Sequence, residues 1–194
     1  RRKRKKALKK VLASHHHRKY FLQGREALVN FDWIEARKSL EKAVELDRSF
    51  AAAYGFLAQA DFMLANGREG IEAAKKAHEF SHKATEKERL FIEALYAGAV
   101  ENDREKRLQI LKEAADKYPK DKDIHMFLAM AYGSRAMHEQ SIEEYNKVLA
   151  LDPANPDGLN MIAYEYLHMK DFDKAVEYFK KYVAVLPGQP NPLD

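Results

Sequence analysis

The chain has 194 residues, 46% of them hydrophobic and none cysteine, so a buried core is available while disulfides and thiolate metal sites are excluded. No run approaches the ~18 apolar residues of a membrane-spanning helix, and no long apolar core follows the basic start as a secretory signal requires. The formal charge of +4 is unevenly placed: ten of the 34 basic residues lie in residues 1–19 with no acid among them, and the remaining 24 face 30 acidic residues. The body is therefore mildly acidic, and any affinity for polyanions rests on the N-terminal segment alone.

That segment, "RRKRKKALKKVLASHHHRK", interleaves Ala7, Leu8, Val11 and Leu12 among its charges, as a surface-binding helix does. It supports three readings. It is a solvated extension of the first helix, a juxtamembrane stretch whose residues 1–19 meet an anionic membrane surface, or a polyanion-binding arm. Nucleic acid is the weakest of these, because neither aromatic interleaving nor a folded basic face supports it. The histidine run at 15–17 reads as solvated rather than metal-binding.

From residue 17 the chain repeats itself. Residues 17–50 place Tyr20, Gly24, Ala27, Ala36, Leu40 and Ala43 at helical spacing. Residues 51–87 follow with Tyr54, Leu57, Ala58, Gly70, Ala74 and Ala77, and include three extra residues at 85–87. Residues 88–121 carry Phe91, Ala94, Leu95, Leu111, Ala114 and Pro119 in the matching places. Residues 122–155 carry Leu128, Ala129, Tyr132, Ser141, Tyr145, Val148 and Pro153, and residues 156–189 carry Leu159, Ala163, Tyr166, Ala175, Phe179, Tyr182 and Pro187. Each unit predicts two helices with one apolar face apiece, separated by a polar break. Gly24, Ala58, Ala129 and Ala163 fall where two helices cross closely, a place at which a large side chain would overpack. Pro156 suits a first helical turn and Pro187 a point just past a helix end.

Pro187, Pro190 and Leu193 repeat Pro153, Pro156 and Leu159 after 34 residues. Residues 190–194 thus read as the start of a further unit. With no polar capping helix after it, the sequence reads as a piece of a longer array or of a longer protein. Residues 1–16 are a basic extension to the repeat region at 17–189.

The order of large, small and aromatic residues, then alanine, aromatic, alanine and proline, resembles the tetratricopeptide repeat. It is clearest as Leu159, Ala163, Tyr166, Ala175, Phe179, Tyr182 and Pro187. Arg48 and His82 depart from the usual proline, Asp61 and Gly98 from the aromatic, and Gly70 from the alanine. The stretch "EKERLFIEALYA" is also similar to repeat regions attached to some bacterial signalling proteins, including membrane-anchored kinases.

The resemblance implies an all-α, right-handed superhelical solenoid of about five antiparallel helix-turn-helix units. It implies a non-enzymatic scaffold without a cofactor, whose first helices line a concave groove for a peptide or helix of a partner protein. The face-lining positions are then Phe56, Gln59 and Met63 in the second unit and Ile92 and Tyr96 in the third. In the fourth they are Met126, Phe127 and Met130, and in the fifth Asn160, Met161, Tyr164 and His168. Four of the six methionines are among them, and methionine beside rigid aromatics suits an adaptable apolar surface. One subfamily grips a C-terminal carboxylate with Lys and Asn; here Phe21, Arg25, Phe56 and Glu93 stand in those places, so that clamp is not expected. Two other roles compete: a regulatory or sensory module of a larger, membrane-tethered signalling protein, and a scaffold that self-associates through open array ends.

Catalytic motifs are scarce, with no phosphate loop, nucleophile elbow or helical pair of zinc-binding histidines in the sequence. His78, His82, His125 and His138 need no special role on this reading. Glu41/Lys42 and Glu143/Glu144/Lys147 read as solvated helix faces.

Overall fold

The computed structural model describes the backbone of residues 2–185 and the side chains of residues 16–185. The side chains of the basic strip and the expected further unit at 190–194 lie outside the described residues. Among those residues the chain forms ten α-helices and no strand, an all-α helical-repeat solenoid, and it divides into two compact units, residues 1–103 and 104–194.

The first unit contains α1 (Arg2–Val29), α2 (Trp33–Leu46), α3 (Ala51–Met63), α4 (Gly67–Glu79) and α5 (Glu86–Ala99), with a short 3-10 turn at Ser81–Lys83 before α5. Two of the starts, those of α2 and α5, are set by side-chain caps. Asp32 accepts a hydrogen bond from the Glu35 amide at 3.0 Å and so caps α2. Thr85 and Glu88 form a reciprocal capping box that starts α5, so one of the three extra residues works as a helix start signal. Ala36, Leu40, Ala43, Ala53, Ala58 and Ala74 are buried together, the small residues letting helices approach closely. At Gly24 the approach is close: a Cβ there would lie 2.6 Å from Leu40 Cγ and 3.2 Å from the Ala36 carbonyl.

The second unit contains α6 (Arg104–Lys117), α7 (Lys122–Gly133), α8 (His138–Leu151), α9 (Pro156–His168) and α10 (Phe172–Val185). Asp121 caps α7 by accepting from the Asp123 and Ile124 amides. Asn155 caps α9 by accepting from Gly158 N at 2.9 Å, with Pro156 opening that helix. Ala129, Ile142, Tyr145 and Ile162 form one core cluster, and Ala163, Ala175 and Phe179 another.

A backbone signature recurs at the corners that follow α1, α3, α5, α7 and α9. Phe31, Ala65, Asn102, Ala136 and Lys170 all adopt φ between 55 and 62°, at intervals of 34, 37, 34 and 34 residues. At four of these corners the next amide closes back on the helix five residues earlier, as in Asp32 N to Ala27 O and Asp171 N to Tyr166 O. This is the left-handed helix stop, reached here without glycine.

Candidate functional site

In the first unit, spacing of four puts Phe21 and Arg25 on one side of α1, opposite Phe56 of α3. Phe50, Phe21, Phe56 and Phe91 form a row with centroid separations of 4.8, 5.7 and 5.0 Å, and His17 meets its Phe50 end edge-on at 5.0 Å. The Arg25 guanidinium lies 4.9 Å above the Phe56 ring, a cation–π geometry. Phe91 reaches the row because α3 carries Gly55, where a Cβ would come within 2.7 Å of the ring. All four phenylalanines are half-buried. His17 and Phe50 also line a cleft of about 950 Å³, walled by Arg18, Lys19 and Leu22 of α1 and by Lys83 and Thr85.

The sequence-expected residues of this unit divide among three environments. Phe56 belongs to the row, and Met63 is exposed. Tyr96 is half-buried and stacks on His78 of α4 at 4.0 Å. Ile92 is a correction. It is fully buried, packed with Ala51 of α3 and Ala77 of α4, while its neighbour Phe91 is half-buried and stacks on Phe56. Gln59 is half-buried, and its Oε1 is buried without a hydrogen-bond partner among the described residues.

In the second unit, Met126, Met130 and Met161 are half-buried around the Ala129–Ile142–Tyr145–Ile162 cluster, and Phe127 is half-buried on α7. Tyr164 meets Phe179 edge-on at 5.3 Å, and the exposed His168 stacks on His138 at 5.6 Å. Asn160 is a second correction to an exposed face. It is buried, and its Oδ1 has no hydrogen-bond partner among the described residues.

Several charged residues that look solvent-facing in the sequence are buried. Arg37 Nε donates to Asp61 Oδ1 at 2.8 Å, and that bond raises the arginine's pKa further. Glu144, expected on a solvated face, instead lies beneath His125 Nδ1 at 2.7 Å and accepts from Lys147 at 2.7 Å. The other ring nitrogen of His125 lies 3.0 Å from the Pro119 carbonyl. Glu165 is approached by His138 Nδ1 at 2.6 Å and by the Ser141 hydroxyl at 2.8 Å. These carboxylates tie helix to helix, so His125 and His138 have packing roles that the sequence did not reveal. Asp157, in the first turn of α9, is pushed up to about 7 by burial, with Lys122 pulling the other way. Among the described residues no three His, Asp or Glu side chains are placed to hold a metal, and no helix is long and apolar enough to cross a membrane.

Family models described as tetratricopeptide repeat match residues 123–155 and 144–177. No curated protein matches the sequence. Among solved structures, a thermophilic TPR protein of Thermus thermophilus is similar over 89% of this chain and 93% of its own, at 17% identity and a TM-score of 0.65. PilW, described as a widely conserved type IV pilus biogenesis factor, is similar over 90% and 79% at 16% identity, with a TM-score of 0.57. YrrB, described as a TPR protein with an unusual peptide-binding site, is similar over 88% and 86% at 18% identity, with a TM-score of 0.50. At these identities the likeness is one of fold.

Proposed function

The chain is a tetratricopeptide-repeat protein, and from that premise we propose that it is a non-enzymatic scaffold holding an extended segment or helix of a partner protein against its first helices. The observation that carries this reading is the row of half-buried rings in the first unit, Phe50, Phe21, Phe56 and Phe91, with the Arg25 guanidinium above Phe56. In the second unit Phe127, Met130 and Tyr164 are likewise half-buried on first helices. Such side chains supply the anchoring surface that binding energy concentrates on. Peptide binding in the similar YrrB is consistent with this use of the fold.

A phage-displayed library of random twelve-residue peptides, panned on the purified chain, supplies a probe. Phe56→Ala and Phe127→Ala should each weaken a selected peptide by about 2 kcal/mol in calorimetry, roughly thirtyfold. Lys75→Ala and Lys180→Ala, exposed on second helices, should leave it unchanged. Peptides whose affinity follows the second-helix variants, with both phenylalanine variants folded and silent, would overturn the proposal.

A further inference from the structure

One wall of the cleft in the first unit comes from the stretch that departs from the repeat length. Lys83 ends the 3-10 turn, and Thr85 is the first of the three extra residues at 85–87. A second wall is a stripe of α1, with Lys19, Leu22 and Glu26 at spacings of three and four and Arg18 beside them.

The charges of this cleft divide by whether the fold already uses them. Asp47 accepts from the amide and the hydroxyl of Ser49, both at 3.0 Å. Glu88 accepts from the amide and the hydroxyl of Thr85, both at 2.8 Å. Arg18, Lys19 and Glu26 are exposed, with no hydrogen bond or ion pair among the described residues. Lys83 is exposed too; its Nζ lies 5.4 Å from the Phe80 ring centroid and meets no carboxylate among the described residues. Three cations therefore stand open against one acid, and Leu22, 60% exposed, lies between Lys19 and Glu26.

We infer that the cleft seats an extended acidic segment of a partner protein, whose carboxylates meet Arg18, Lys19 and Lys83 and whose next basic residue meets Glu26. Lys19 and Glu26 are seven residues apart on one helix, about 10 Å at the helical rise, which an extended chain spans in about three residues. The segment thus carries an acid and a base three positions apart, with an apolar residue between them for Leu22. A nucleic acid strand fits poorly, because its unbroken run of phosphates meets Glu26, Asp47 and Glu88 in the same cleft. The inference rests on the reading of the chain as a segment-binding scaffold and adds the sign and spacing of the charges it selects.

Two fluorescein-labelled pools of twelve-residue peptides, alike in their randomised apolar positions, supply the probe. One carries a Glu-Glu-apolar-apolar-Lys core and the other the sign-exchanged Lys-Lys-apolar-apolar-Glu core. In fluorescence anisotropy at about 50 mM salt the first pool should bind about tenfold more tightly than the second, and the gap should close at about 300 mM. The double variant Lys19→Glu/Lys83→Glu, altered at two exposed positions, should lose that preference with an unchanged circular dichroism spectrum. Binding without a sign preference, or a preference that survives the charge reversal, overturns the inference; if that binding still weakens in Phe56→Ala, the scaffold reading stands. No binding by either pool also overturns it, while the library-selected peptides decide the scaffold reading separately. Tighter binding of a twelve-nucleotide oligothymidylate or of phosphatidylserine vesicles than of the first pool, lost in the same double variant, overturns it as well.

Discussion

Gly24→Ala adds one methyl group at a close helix crossing in the first unit, and the structure sets its sign. Two effects favour alanine. Its helix propensity exceeds that of glycine by about 1 kcal/mol, and burying one more carbon contributes up to about 0.8 kcal/mol. Against them, the new Cβ would sit 2.6 Å from Leu40 Cγ and 3.2 Å from a backbone oxygen. Leu40 is fully buried among alanines, and the clash is at its branch point, so neither side chain nor carbonyl can swing clear. Forcing the helices apart costs about 3 kcal/mol, the upper part of the overpacking range. The net expectation is a loss of roughly 1–2 kcal/mol, or about 2–8 °C in Tm. Thermal unfolding followed by circular dichroism reads this directly, with Gly67→Ala as the matched control. Gly67 opens α4 and has nothing within 4 Å of its Cβ position, so its replacement should be neutral or slightly stabilising. A Gly24→Ala protein at least as stable as the wild type would refute the close crossing.

Two further outcomes are expected. Ala163→Leu, at a fully buried site beside Ala175 and Phe179, should destabilise the chain by roughly 1–3 kcal/mol, and an unchanged denaturation midpoint would contradict the packing of α9 on α10. Asp157 binds its proton more tightly folded, near pH 7, than unfolded, near pH 4. Its contribution is therefore fully present below about pH 4 and is lost as pH rises through about 7. Asp157→Asn should be the more stable protein at pH 8, by roughly 2 kcal/mol after allowing for partial solvent screening. That advantage should vanish toward pH 4, and a pH-independent difference in Tm between the two proteins would show that Asp157 is not the titrating group.

The repeat was legible because close helix crossings demand small residues, and Gly24, Ala58, Ala129 and Ala163 announce them in the sequence. All four are buried as that requirement dictates. What periodicity cannot fix is helix phase to within one residue. In α5 both Phe91 and Ile92 meet α3, but Ile92 is buried against Ala51 while Phe91 is the half-buried ring that stacks on Phe56, and the space it occupies is left by Gly55, on another helix. Nor can periodicity find a buried charge whose partner is distant in sequence. Asp61 looks like a departure from an aromatic position until Arg37, 24 residues earlier, is seen to pair with it. Glu144 and Glu165 likewise sit on faces that read as polar, and their burial depends on His125, His138 and Ser141 reaching them.

The recurring left-handed corner has a consequence for how such a chain changes length. The hairpin closed by that corner is stereotyped, and the residues at its φ-positive position are as unlike as Phe31, Ala65 and Lys170. The one length change among the units, at 85–87, falls on the other kind of joint, where α4 hands over to α5 through a 3-10 turn and a capping box. Hairpins therefore behave as indivisible blocks and the links between them as adjustable hinges of the gene. Duplications or deletions in multiples of a whole hairpin preserve every stop signal. Small insertions are tolerated where a new cap can restart the following helix, and an insertion between a left-handed residue and the helix it precedes breaks the block itself.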